Sequence, residues 1–359
     1  MATRKPTLRE VAQAAGCSLT TTSNILQGRH ELYRAETVER VLAAARSLGY
    51  RPNMLARGLA KQRTFTIGLV FERAHAVLTQ NDYAQHVLDG VIEFLLPLEY
   101  DVKLITLPAG RPDSIWRRLE NGTVDGHLLL APVIDSPLLE WRRHSRLPVV
   151  SVGSLLPPNL GIPCVDVDNE GGMRMLTEWV IQQGHHHIGF VKGHPLHWSA
   201  LQRERAFRKT MADYGLPTRE EWIFQGRYTI ESGRQCAREL LALRERPTAV
   251  ICADDGSAAG FIQECLAHGL RIPEDLSVAG FDDEPLVHPL CPNLTTVRHD
   301  KHRVGYLAAQ LLYEQIESGT LRDDSIALPA TLVIRKTVAP PSAGQALVAP
   351  QIPSKEVQR

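Results

Sequence analysis

From residue 64 to residue 283 the sequence alternates short apolar runs with stretches of helical spacing, and this alternation restricts the possible folds more tightly than any other feature. TIGLVF (66–71), DVKLITL (101–107), GHLLLAP (126–132) and LPVVSVG (147–153) read as strands, with a helix expected over 87–96. HIGFVKG (187–193), WIFQGRY (222–228), TAVICADD (248–255) and SVAGFDD (277–283) form a second series, separated by helices expected over 173–183 and 199–214. Strands that take turns with helices pair in parallel, because each crossover helix must lie on a face of the sheet. Two series therefore predict two doubly wound parallel-sheet halves, and 359 residues is more than one core usually supports. Such a pair places a ligand crevice at the carboxyl ends of the strands. No G-x-G-x-x-G opens a helix and no phosphate-binding P-loop is present, so nothing supports a nucleotide cofactor. The G-x-S-x-G and H-E-x-x-H patterns are also missing, and the expectation is a binding protein without cofactor rather than an enzyme.

The first 63 residues have a different texture. Thr7 with Glu10 has the spacing of a reciprocal helix cap, after which Leu8, Val11, Ala12 and Ala15 share one face and Gly16 provides a stop. Ser18 caps a second helix over 19–26, with Thr22, Ile25 and Leu26 turned inward and Leu19, Thr20, Ser23 and Asn24 turned outward. Val38, Val41, Leu42, Ala45 and Leu48 make the apolar stripe of a third helix ended by Gly49. Three short helices with a glycine in the first turn suit a helix-turn-helix that sets its second helix into the major groove. Charge separates this reading from an ordinary three-helix bundle. Residues 1–63 hold eleven Lys or Arg against four Glu, a surplus of seven positive charges, whereas the whole chain is neutral. A basic head on an acidic body is the footprint of a phosphate-binding surface.

Other features bound the class. No run approaches the roughly 18 apolar residues that span a bilayer, and the basic N-terminus lacks a signal-peptide core, so a cytoplasmic protein without membrane contact is expected. The six cysteines lack metal or disulfide spacing and read as reduced. His185, His186 and His187 are adjacent, and neighbouring residues cannot converge on one tetrahedral ion, so no metal site is expected. Residues 340–359, rich in Pro, Ala, Gln and Ser, have the composition of a disordered tail.

These residues together resemble the lactose/galactose repressor family of bacterial transcription regulators. The resemblance runs from Thr7 to about Val338. It rests on the head and on LGYRPNMLARGLA (48–60), VDVDNEGG (165–172), GHHHIGFVKG (184–193), RERAF (203–207), PTAVICADD (247–255), LRIPEDLSVAGFDD (270–283), LTTVRHD (294–300) and LPATLVIRKT (328–337). It implies an α/β chain with a helix-turn-helix head (1–50), a hinge (51–63) and a periplasmic-binding-protein-like body (64–339). The body is expected to have two Rossmann-like subdomains that the chain crosses near 163 and 293. It also implies a homodimer on a near-palindromic operator, with a small effector, a sugar or sugar derivative, between the subdomains. A purine or a phosphoprotein as the controlling partner, and a sugar-acting enzyme with a fused head, are the alternatives.

By family position Leu19, Thr20 and Asn24 face base edges, while Thr21 and Ser23 suit phosphates. The family usually has arginine where Asn24 stands. Arginine favours guanine and asparagine favours adenine, so an altered operator is expected at that base pair. In the hinge the resemblance puts Leu59 in the central minor-groove step with Ala56 beside it, and Asn53 and Arg57 near the backbone. A segment this short that contains Gly58 is expected to fold only on DNA. Arg34 replaces a usual Ser or Thr cap. For the effector, the resemblance implies Arg203 and Asp282 as donor and acceptor for vicinal hydroxyls, Tyr228 as a stacking aromatic, Asp254 and Asp255 at a strand end, and Trp198 as a second apolar wall. Ala206 departs from the family's glycine, and Asp254 from its more usual asparagine. Glu72 and residues 81–83 are expected to contribute from the first subdomain.

Overall fold

The computed structural model describes residues 6–51, 63–72, 81–107, 113–322 and 324–341. It divides into two compact units, Met1–Phe65 and Thr66–Arg359. The hinge residues Asn53, Ala56, Arg57 and Leu59, with Gly58, and the tail from 342 lie outside the described residues.

Among the described residues of the first unit the helices are α1 (Leu8–Ala15), α2 (Leu19–Leu26) and α3 (Ala35–Leu48), with one 3-10 turn at His30–Leu32. Thr7 and Glu10 form the reciprocal cap, and Gly16 ends α1 at φ +61°, a left-handed conformation that costs glycine nothing. Ser18 accepts from the Thr21 N–H at 3.0 Å. Arg34 begins α3 with no side-chain cap, which leaves that helix end to solvent. Val11, Ala15, Ile25, Val41, Ala44 and Ala45 form the core. Leu48, expected in the apolar stripe, is exposed, because α3 outlasts the two shorter helices it packs on and Ala44 fills the inward position.

The body strands are β1 (Thr66–Glu72), β2 (Asp101–Leu107), β3 (Gly126–Leu130), β4 (Val149–Val152), β5 (Cys164–Val167), β6 (Ile188–Val191), β7 (Ile223–Phe224), β8 (Ala249–Cys252), β9 (Ser277–Ala279), β10 (Thr296–Arg298), β11 (Ile326–Leu328) and β12 (Thr331–Val333). Among the described residues the first subdomain has a parallel sheet in the order β11-β5-β4-β3-β1-β2, and the second a parallel sheet in the order β7-β6-β8-β9. β10 and β12 pair antiparallel beside the second sheet. β3, β4, β5, β6 and β8 are buried along their whole length, as strands covered on both faces must be.

Two expected strands are cut short for a visible reason. WIFQGRY is extended only at Ile223–Phe224, since Gly226 passes so close to Lys192 that a Cβ would overlap its carbonyl oxygen, and Tyr228 turns at φ +61°. SVAGFDD is a strand only to Ala279, and Asp282 and Asp283 sit at φ +108° and +46°, which no strand accommodates. The crossings between subdomains also fall later than 163 and 293. β5 still pairs within the first sheet, so the chain leaves at Asp168, whose N–H donates to the Leu328 carbonyl at 2.8 Å. β10 still lies along the second sheet, so the return falls at 299–300. A third crossing, between β11 and β12 at 329–330, is not legible in the sequence because those strands are short and half-exposed.

Each subdomain contains one helix pair packed through glycines. In the first, a Cβ on Gly90 would overlap the His302 carbonyl oxygen, and one on Gly305 the Val87 carbonyl oxygen. In the second, Gly260 meets the carbonyl oxygen of Ile230 and Gly233 that of Ser257 in the same way. Among the described residues no helix is long and apolar enough to cross a membrane, and all six cysteines are free.

Candidate functional site

In the head, α2 turns Leu19 (44 % exposed) and Thr20 outward. Thr21 and Ser23 are half-buried and already bonded locally: the Thr21 hydroxyl accepts from the Ser18 hydroxyl at 2.9 Å, and Ser23 accepts from Gln27 Nε2 at 3.0 Å. Asn24 is half-buried as well, and its Nδ2 donates to the Tyr33 hydroxyl oxygen at 2.8 Å. Arg40 Nε donates to the Ala15 carbonyl at 3.0 Å, so a cation closes the C-terminal end of α1 where the helix dipole favours it.

The body holds a cleft of about 590 Å³ to which both subdomains contribute: Phe71, Tyr83, Leu130 and Asp166 from the first, Arg203, Tyr228, Asp254, Asp282 and Glu284 from the second. Arg203 projects from the helix Trp198–Asp213 and is almost fully buried. Its Nε donates to Asn169 Oδ1 at 2.8 Å, one terminal nitrogen to the Ala253 carbonyl at 2.6 Å and the other to Asp282 Oδ1 at 2.9 Å, while the guanidinium lies 3.8 Å over the Phe281 ring. Asp282 also accepts from His299 Nε2 at 3.0 Å. Burial pushes the Asp282 carboxyl up, but Arg203 and His299 outweigh it and hold the group below the usual carboxylate range. Tyr228 lines the cleft, shares a 3.1 Å hydrogen bond with the Ser199 hydroxyl, and is pushed up to about 12 by burial.

Asp254 caps the helix Asp255–Ala267 by accepting from the Ser257 N–H through Oδ2 at 3.0 Å. Its Oδ1 is buried and, among the described residues, has no hydrogen-bond partner. Burial pushes this carboxyl up to about 6. A carboxyl raised in the folded state holds its proton more tightly there than in the unfolded chain. Its contribution to stability is therefore full below the ordinary value of 3.8 and is lost as the pH rises through about 6. Asp254→Asn keeps an oxygen for the cap and removes the charge. It is expected to stabilise the body at pH 7 by about 1–3 kcal/mol relative to the parent, with the gap closing toward pH 4. Urea denaturation across that range checks this; equal stabilities at pH 7 would contradict it.

Three expected residues are elsewhere. Asp255 follows Asp254 by one position and so points away from the cleft: it accepts from the Thr296 hydroxyl at 2.6 Å and from the Glu284 N–H at 2.9 Å, tying two segments of the second subdomain together. Trp198 starts its helix and, like Leu155 and Leu160, packs against the core of the first subdomain instead of lining the cleft. Glu72 accepts from the Val133 N–H at 3.2 Å and is likewise outside the lining, whereas Asn81, Asp82 and Tyr83 all belong to it. His185 is held between Thr248 and the Ala339 carbonyl at 2.9 Å each, a structural use.

Sequence reading missed Asp166 and Asn169, which together with Tyr83 bridge the subdomains. Tyr83 donates to Asp166 Oδ1 at 3.1 Å, Asn169 Nδ2 donates to Asp166 Oδ2 at 3.0 Å, and Asn169 passes the connection to Arg203. Burial drives the Asp166 carboxyl up, and burial with the adjacent Asp166 drives the Tyr83 hydroxyl well up. Asp166 sits at the carboxyl end of β5, the position that a doubly wound sheet marks for a ligand.

Residues 7–53 match the family described as bacterial regulatory proteins, lacI family, and residues 177–338 match the periplasmic binding protein-like domain. The chain is 31% identical over 335 residues to the HTH-type transcriptional repressor PurR of Photobacterium profundum, covering 92% of this chain and 98% of that protein. It is 28% identical over 336 residues to catabolite control protein A of Priestia megaterium, covering 92% and 98%. The transcriptional regulator CelR in complex with cellobiose superimposes with a TM-score of 0.72 at 29% identity over 93% of this chain and 100% of that one.

Proposed function

The chain belongs to the lacI family of bacterial regulatory proteins, DNA-binding transcriptional repressors without enzymatic activity, and from that premise we propose that its effector is a hydroxyl-rich neutral compound, a sugar or sugar derivative, bound in the body cleft. The observation that carries this reading is Asp254 Oδ1, without a hydrogen-bond partner among the described residues, in a lining whose one described arginine is already committed to Asp282. Asp166 and Glu284 join it there, so carboxyl groups outnumber the arginine in the described lining. Hydroxyl groups donate to such a wall, whereas a phosphate or carboxylate meets repulsion and desolvation. The cellobiose held by the relative CelR supports the same class.

In the head, Leu19, Thr20 and Asn24 are the residues we assign to base edges, Thr21 and Ser23 to phosphates. Asn53, Ala56, Arg57 and Leu59 are assigned to the operator centre. One head covers one half-site, so a near-palindromic operator calls for a homodimer. The exposed Ile92, Leu96 and Leu104 of the first subdomain supply apolar surface for it. Control follows if the effector has different affinity for two relative orientations of the subdomains, since linkage then couples its binding to operator affinity in both directions.

Thermal unfolding of the full chain against monosaccharides, disaccharides, sugar phosphates and nucleobases tests the reading. A neutral saccharide at about 100 times its dissociation constant adds about 2.7 kcal/mol and shifts operator affinity of a complex whose mass corresponds to two chains. Stabilisation by nucleobases or sugar phosphates alone would overturn it.

A further inference from the structure

We infer that Tyr33 is a positioning residue for operator recognition, and that it sets base preference by holding the Asn24 amide. This rests on the reading that Asn24 faces a base edge. Asparagine reads adenine with one N–H and its oxygen, which form a single donor–acceptor edge toward N7 and N6. The second N–H of the same amide takes no part in that edge. In this head it has a use, for Nδ2 donates to the Tyr33 hydroxyl at 2.8 Å. Tyr33 is a fixed anchor: it follows the 3-10 turn His30–Leu32 and packs against the core formed by Val11, Ile25 and Val41, and the turn is pinned by a 3.0 Å bond between His30 Nε2 and the Ile25 carbonyl.

The consequence is pre-organisation. An asparagine on an exposed helix face rotates about two side-chain bonds and loses that freedom when it engages a base, which reduces the gain from the contact. With one N–H tethered, the plane of the amide is set before DNA arrives and the adenine-reading edge stays available. The arginine usual at this position presents its donors on a rigid planar fork, which asparagine lacks. Asn24 and Tyr33 therefore act as one unit in which Tyr33 touches no base.

Selection of the full chain on operators with randomised half-sites tests this. The parent chain is expected to prefer adenine at one half-site position by roughly tenfold. Asn24→Ala is expected to flatten that position alone. Tyr33→Phe, which keeps the ring and its packing, is expected to reduce the preference there to about two- to threefold, leaving the other positions and the salt dependence of affinity unchanged. A merely structural tyrosine would weaken every position alike, and that result overturns the inference, as does full retention of the adenine preference in Tyr33→Phe. If Asn24→Ala changes nothing, the reading of Asn24 itself fails. If Asn24→Ala flattens the position while Tyr33→Phe matches the parent, Asn24 stands and Tyr33 falls.

Discussion

Replacing Arg203 by alanine is expected to destabilise the body by about 3–5 kcal/mol and to remove the effector response. The size follows from what is left behind. Asp282 would remain buried with only His299 against its carboxylate, and an uncompensated charge in such a place costs more than the pair contributed. Asn169 Oδ1 and the Ala253 carbonyl would lose their donors as well, and each orphaned buried acceptor adds roughly 1–3 kcal/mol before water relieves it. Lysine is not an adequate substitute, because one ammonium cannot reproduce three bonds in three directions while stacking on Phe281. The double variant Arg203→Met, Asp282→Asn removes both charges and is expected to recover much of the stability but none of the effector response. Urea denaturation of both variants checks the first half and the effector-dependent change in operator affinity the second. A single variant as stable as the parent would contradict the account.

Second in size is Gly305→Ala. The helices Asp82–Leu95 and Lys301–Ser318 approach until the Gly305 Cα faces the Val87 backbone, and a methyl there overlaps a carbonyl oxygen that no rotamer can move. The helices must part, which also strains the reciprocal contact at Gly90 and the buried ion pair between Lys301 Nζ and Asp82 Oδ2 at 2.8 Å. Overpacking of this kind costs about 3 kcal/mol, in spite of the higher helix propensity of alanine, which by itself favours the substitution by about 1 kcal/mol. A melting temperature equal to or above that of the parent would show that the helices have room to spare.

What could be read from the sequence was what local spacing determines. The caps at Thr7 and Ser18 and the stops at Gly16 and Gly49 act within a few residues, so the head was legible nearly to its ends. Most parallel strands were legible as apolar runs, being covered on both faces, but β5 and β11 were not. The crossings were not, because they depend on which sheet β5 and β10 join, and that is decided by partners more than a hundred residues away in the case of β5 and β11. Asp254 and Asp255 differ by a single step at a helix start, enough to send one into the cleft and the other into the interior of its subdomain. The Asn24–Tyr33 bond spans a turn that composition does not announce.

The hydrogen-bonded line from Tyr83 through Asp166, Asn169 and Arg203 to Asp282 and His299 implies something about the kind of signal the cleft can generate. It links the subdomains through the protein's own side chains, so the body is not a loose pair of jaws. An effector that engaged these groups would exchange partners with a filled circuit. On our proposal that an effector acts here, the spacing it imposes between the walls, more than the strength of its grip, would be the signal.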